Sequence, residues 1–235
     1  MRASILVLVC ATACGDTGQP RIAAPAFARG TAPRTEVVGA WSVRLTRASV
    51  GFGPVTFCAS RASSPELCPA ALAEVAQATT VDALDPARQP IGTLDGFVGT
   101  VRSAGFAYGV PWFPFENAPR RTGAAPGGRA ARIEGIATST ADPSRSFAFV
   151  AEIDVLPRSA GLPAVSVTGL DAPIDARTTA LEVVIDPNAW LAQVDFDALA
   201  AIGTSPVTIA PDARAANAIA VGMTTLAQPT WSLLR

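Results

Sequence analysis

The chain contains no histidine and no lysine; all 18 of its basic residues are arginine. Without histidine there is no Ser-His-Asp triad, no Cys-His dyad and no imidazole metal site. Without lysine there is no Ser-Lys nucleophile, no Schiff base and no phosphate-binding loop of the usual kind. Neither G-x-S-x-G nor G-x-G-x-x-G occurs. Carboxylates, serines, arginines and a single tyrosine are left for chemistry. No catalytic residue and no cofactor is therefore assigned, and a non-enzymatic role is expected.

Charge is equally uninformative about a charged partner. The formal net charge is -1, which gives no pull towards nucleic acid or an anionic surface. Arginine without lysine, amid abundant Ala, Gly and Pro, reads as a high-GC coding bias. Apolar residues make up 49% of the 235, enough for one sizeable core.

Two cysteines, Cys10 and Cys14, close a short apolar run after Arg2 (ASILVLVCATAC). Ala3 to Cys10 falls far short of the roughly 20 residues of a spanning helix. A positive residue, a short apolar stretch and small residues together make a secretory signal. Ala11-Thr12-Ala13-Cys14 resembles the lipobox of bacterial lipoproteins, with Ala11 where that family favours leucine. The resemblance implies that Cys14 is lipidated and becomes the mature N-terminus, and that Cys10 leaves with the signal. Gly15, where the family's inner-membrane retention signal places Asp, implies the outer membrane. The alternative is an ordinary Ala-x-Ala cleavage site, giving a soluble periplasmic or secreted protein with Cys14 as a thiol.

Cys58 and Cys68 remain, and an even pair in an exported chain reads as a disulfide rather than a metal or redox site. Closing so short a loop stabilises by about 3 kcal/mol on the chain-entropy model.

The expected organisation is a signal peptide over 1–13, a lipid-anchored flexible tether over 14–36 and one β-rich domain over 37–235. The tether is inferred from Pro, Gly, Ala and Arg without apolar period. The domain is expected to be mostly β, an antiparallel β sandwich with two or three short helices. Alternation marks strands at 37–50, 54–58, 80–84 and 93–110. ARIEGIATST and RSFAFVAEIDV flank Ala-Asp-Pro-Ser and predict a hairpin. Two more strands follow at 163–170 and 179–186. One helix is expected after the Cys pair (PAALAEVAQA) and two near the C-terminus, the first opened by Asp186-Pro187. Within the last fifty residues PVTIAP reads as a short strand and TWSLL as an edge strand.

The candidate contact surface lies in GFAYGVPWFPFENAPRRTGAAPGGRAAR, residues 105 to 132. Phe106, Tyr108, Trp112, Phe113 and Phe115 crowd together there, followed by Arg120 and Arg121, in a chain only 6% aromatic. Aromatics supply contact area and arginines a polar handle for a protein or small-molecule partner. The competing reading places the aromatics in the core under a solvated loop. The Asp82, Asp85, Asp95 group and the Asp195, Asp197 pair lack the full calcium-loop pattern and read as turn and cap residues. A carboxylate-dependent glycan-acting enzyme would need two of them across a cleft. FAYGVP with Asn117, and the later LEVVID and VDFDAL, resemble in outline the periplasmic protein family that accompanies methanobactin uptake. That resemblance implies a copper or metallophore accessory role. Copper binding through histidine is not carried over, because the chain has none.

Overall fold

In the computed structural model of the chain, residues 18–61 and 71–235 are described. They form fourteen strands: β1 (Arg21–Arg29), β2 (Thr35–Val38), β3 (Trp41–Phe52), β4 (Val55–Cys58), β5 (Ala71–Val75), β6 (Thr79–Asp82), β7 (Gln89–Phe97), β8 (Gly99–Phe106), β9 (Ala131–Ser139), β10 (Ser146–Ile153), β11 (Val165–Ile174), β12 (Ala180–Val184), β13 (Val207–Ile209) and β14 (Thr230–Leu234). An eight-stranded sheet runs β11-β8-β4-β5-β7-β1-β12-β14. A second sheet runs β13-β10-β9-β3-β2, with β6 also paired to β3.

The expected antiparallel pairing needs correction, because both sheets are mixed. β1 runs parallel to β12, with Ala26 opposite Leu181, and β10 runs parallel to β13, with Phe149 opposite Val207. Each parallel pair joins strands far apart in sequence, so the long crossover that parallel pairing requires is present.

The expected tether also needs correction. Arg21–Arg29 is an interior strand, between β7 and β12. Ile22, Ala24, Ala26 and Ala28 point into the core, while Arg21, Ala23, Pro25 and Arg29 point outward. Pro25 has no N–H to give, and it stands one residue before the pairing with β12 begins.

The helix expected after the Cys pair is instead strand β5. Ala71–Val75 pairs with β4 on one side and, through Ala73 and Glu74, with β7 on the other. Alanine-rich sequence favours helix locally, but a weak propensity yields to ladder pairing and burial. The small residues serve close packing here: a Cβ on Gly96 would stand 2.5 Å from that of Ala73.

The 131–155 hairpin forms as β9 and β10, with Ser146 opposite Thr138. Near the C-terminus, Asp186 caps a 3-10 turn over Pro187–Leu191 by accepting from the Asn188 amide. Asp195 caps a separate short helix, α1 (Phe196–Ala200), by accepting from the Ala198 amide. The apolar period from Trp190 to Ile202 is thus two pieces rather than one helix. A second helix, α2 (Arg214–Val221), continues as a π turn to Leu226 and buries Ala216, Ile219 and Met223. Among the described residues no helix is long and apolar enough to cross a membrane.

One apolar cluster joins the two sheets and the C-terminal helices, from Val43, Leu45 and Val50 through Ile91, Leu94 and Val183 to Trp190 and Ile219. The large sheet curls. Trp231 on edge strand β14 meets Phe57 at 5.5 Å and Phe106 at 5.6 Å, on strands near the opposite edge. Arg235 Nη2 also donates to the Pro173 carbonyl on β11, at 3.4 Å.

A polar knot ties the N-terminal strands to the helical end. The Asp186 carboxylate accepts from Thr31 Oγ1 at 2.7 Å and from both terminal nitrogens of Arg34, at 3.1 and 2.8 Å. Asn188, 1% exposed, donates to Thr31 Oγ1 and Asp186 and accepts from the Arg34 amide. Burial pushes the Asp186 carboxyl up, but hydrogen bonds from Arg34, Thr31 and Asn188, with the Arg34 charge, outweigh it and hold it below the usual carboxylate range.

Candidate contact loop

Strand β8 delivers the aromatic segment. Val101, Ala104 and Phe106 are buried, and Phe106 lies opposite Val55 of β4. The chain then stays inside as far as Pro111. Phe106 and Tyr108 pack edge to face at 5.2 Å, and both meet Phe52. The Tyr108 hydroxyl donates to the Met223 carbonyl at 3.0 Å, and burial pushes its phenol up. These two members of the sequence-derived surface therefore belong to the core.

Gly109 adopts φ +70°, which favours glycine. A side chain there would also press on the Gly51 backbone, 3.0 Å away. Thr122 closes the base of the excursion, donating its amide and its hydroxyl to the Gly109 carbonyl. Arg120 closes the next rung through its amide, 2.7 Å from the Pro111 carbonyl.

Inside that frame the side chains bind one another. Trp112 is half-buried and donates Nε1 to the Glu116 carbonyl at 2.9 Å. Glu116 returns its carboxylate to the Phe113 amide at 3.0 Å and faces Arg120 Nε at 3.5 Å. The Phe113 and Phe115 rings stack at 5.9 Å with 7° between planes. The Arg120 guanidinium covers Phe113 at 4.7 Å. Phe115 ends the column, 84% exposed. The Gly161 amide donates to the Trp112 carbonyl and fixes the loop to the turn before β11.

Arg121 does not join this column. It donates to the Gly128 carbonyl and lies 3.2 Å from Asp154. It begins a chain of ion pairs over the smaller sheet: Asp154 with Arg129, Arg129 with Glu152, Arg132 with Glu134, and Glu134 with Arg47. Such solvated pairs contribute little stability each.

The Asp82, Asp85, Asp95 group and the Asp195, Asp197 pair are each engaged locally. Asp82 and Asp85 accept from amides two residues on, Asp95 pairs with Arg21, Asp195 caps α1, and Asp197 accepts from Trp41 Nε1 at 2.9 Å. Among the described residues no group of three or more acidic or cysteine side chains could hold a metal ion. Cys14 and Cys68 lie outside the described residues. Cys58 is buried at the end of β4.

Thr31, Arg34 and Asn188 were not singled out in the sequence, since their partners lie about 150 positions away. Compared with known protein families, curated proteins and solved structures, the chain matches none.

Proposed function

We propose that the protein is a lipid-anchored component of the bacterial cell envelope, held in the outer membrane through Cys14, and that it works as a non-enzymatic binding module. The loop over 111–120 is its contact surface. The observation that carries the binding role is the Arg120–Phe113–Phe115 column, a stacked aromatic pair ending in an exposed ring, on a loop whose Trp112 and Glu116 side chains hydrogen-bond within it. A lone exposed apolar residue needs no explanation, but a built and rigid aromatic projection does. The anchor is supported by the Ala11–Cys14 pattern and by the seven residues from Cys14 to Pro20 that separate it from β1.

A disulfide between Cys58 and Cys68 belongs to the same reading. It is supported by the burial of Cys58 at the end of β4 and by the even pair of cysteines left once Cys10 and Cys14 are assigned.

The test is intact mass with labelled palmitate on protein from a bacterial host, for the wild type and Cys14→Ala. Label and a diacylglyceryl mass that depend on Cys14 are expected. A soluble, unlabelled product starting at Cys14 would remove the anchor.

A further inference from the structure

Two loops together form one tip. The Gly161 amide donates to the Trp112 carbonyl at 2.7 Å, which ties residues 156–164 to residues 111–120. A Cβ on Gly161 would stand 3.2 Å from Pro114 Cγ, so glycine lets the two segments close. The paired loops expose Pro114, Phe115 and Leu156. Their charge is lopsided. Residues 111–121 and 156–164 hold Arg120, Arg121 and Arg158 against one carboxylate, Glu116, in a chain of net charge -1. Glu116 accepts from the Phe113 amide and faces Arg120, and Arg121 pairs with Asp154. The Arg120 side chain is still 56% exposed, and Arg158 is exposed without an acidic partner among the described residues.

Size and charge choose the occupant. A specific protein interface buries about 800 Å² on each partner. A fully buried aromatic side chain supplies about 150–250 Å², so Phe115 with its exposed neighbours falls well short. A bilayer interface needs no matching pocket. It accepts single aromatic rings at the headgroup boundary, and arginines beside them reach anionic headgroups. The Phe113 stack and the Arg120 brace fix the tip before contact, which lowers the ordering cost.

The strand register leaves the loop within reach of an anchored bilayer. Phe106, at its foot, lies opposite Val55, and Val55 opposite Val75. Val75 follows the Glu74–Asp95 pair and so lies level with Leu94, which is opposite Ala24. That row is three residues from Arg21, about 10 Å along the strand. The seven links from Cys14 to Arg21 span at most about 25 Å, more than that offset.

We infer that the Phe115 tip is a membrane-interface finger, which seats its apolar end at the boundary of an anionic phospholipid bilayer with Arg120 and Arg158 at the headgroups. The inference rests on the reading of the 111–120 loop as the contact surface, and it gives that surface its partner. With Cys14 lipidated, the finger is a second attachment that sets how the domain lies on the bilayer.

The experiment uses the full-length chain in a bacterial host, with photoreactive benzoylphenylalanine at position 115 or, as control, at the 71% exposed Val37 on strand β2 of the smaller sheet. Irradiation of whole cells is expected to give phospholipid adducts at 115 and few at 37. A protein adduct in their place at 115 would overturn the finger and leave the loop as a contact surface. No adduct at 115 would overturn both. Equal phospholipid adducts at 115 and 37 would overturn the finger. In phosphatidylethanolamine–phosphatidylglycerol vesicles, Arg158→Gln is expected to lower the phospholipid adduct at 115 about five-fold, the loss of one headgroup cation. Replacing phosphatidylglycerol by phosphatidylcholine is expected to lower it also. A yield indifferent to both changes would overturn the role of charge. Intact mass reports the lipid on Cys14 in the same samples, so loss of the anchor is read apart from loss of the finger.

Discussion

Arg120 lies over Phe113 with 4.7 Å between the guanidinium carbon and the ring centroid, and the same side chain faces the Glu116 carboxylate that accepts from the Phe113 amide. One cation thus braces both the ring and the backbone of its neighbour. An exposed cation–π contact contributes about 0.5–1 kcal/mol, too little to hold the domain together but enough to order a short loop. Arg120→Ala is expected to lower Tm by no more than about 3 °C. Limited proteolysis within residues 111–120 is expected to quicken several-fold. Unchanged cleavage would show that the brace is idle.

Phe106 and Phe115 belong to one aromatic run but to opposite environments, 1% and 84% exposed. Phe106→Ala removes a ring in contact with Phe52, Tyr108 and Trp231 and should cost about 3–5 kcal/mol in urea unfolding. Phe115→Ser should stay within about 0.5 kcal/mol of the wild type. A comparable loss for both would mean that the outer ring belongs to the core.

The N-terminal boundary is open to direct test. A chain beginning at Gly18 keeps β1 and should melt within a few degrees of the longer protein. A chain beginning at Val37 lacks an interior strand, leaves β7 and β12 unpaired on one side, and should not fold cooperatively. Circular dichroism melts distinguish these outcomes, and a cooperative melt for the shorter chain would restore the tether.

Asp186 gives a pH signature. Its carboxyl is held below the ordinary value of 3.8, so the charged form is favoured by folding. That contribution is fully present above the unfolded value and fades as pH falls through the folded one. Asp186→Asn should therefore be about 1–3 kcal/mol less stable at pH 7, with the gap closing below about pH 4. A gap that persisted at pH 2 would point to packing instead of charge.

Legibility of the fold in the sequence followed local contrast. Alternation with a turn-forming set between gave the β9–β10 hairpin, and Asp186-Pro187 gave its cap, because both are encoded within a few residues. β1 was hidden because alanine stands on both of its faces and Pro25 argues against a central strand. β5 reads as helix for a related reason: the alanines that let it pack tightly also favour helix. The parallel pairings follow from where distant strands meet, which no local pattern specifies. Within the candidate surface, the sequence located the aromatics but not their division. Burial continues from Tyr108 through Pro111 and ends at Trp112, a point that no local pattern marks.

The central proposal is that Cys14 anchors the chain in the outer membrane. The most direct test fractionates membranes from a bacterial host that expresses the full-length protein or Cys14→Ala. The wild type in the outer-membrane fraction and Cys14→Ala in the soluble fraction is the predicted result. A soluble wild type, or Cys14→Ala retained in the membrane, would contradict the account.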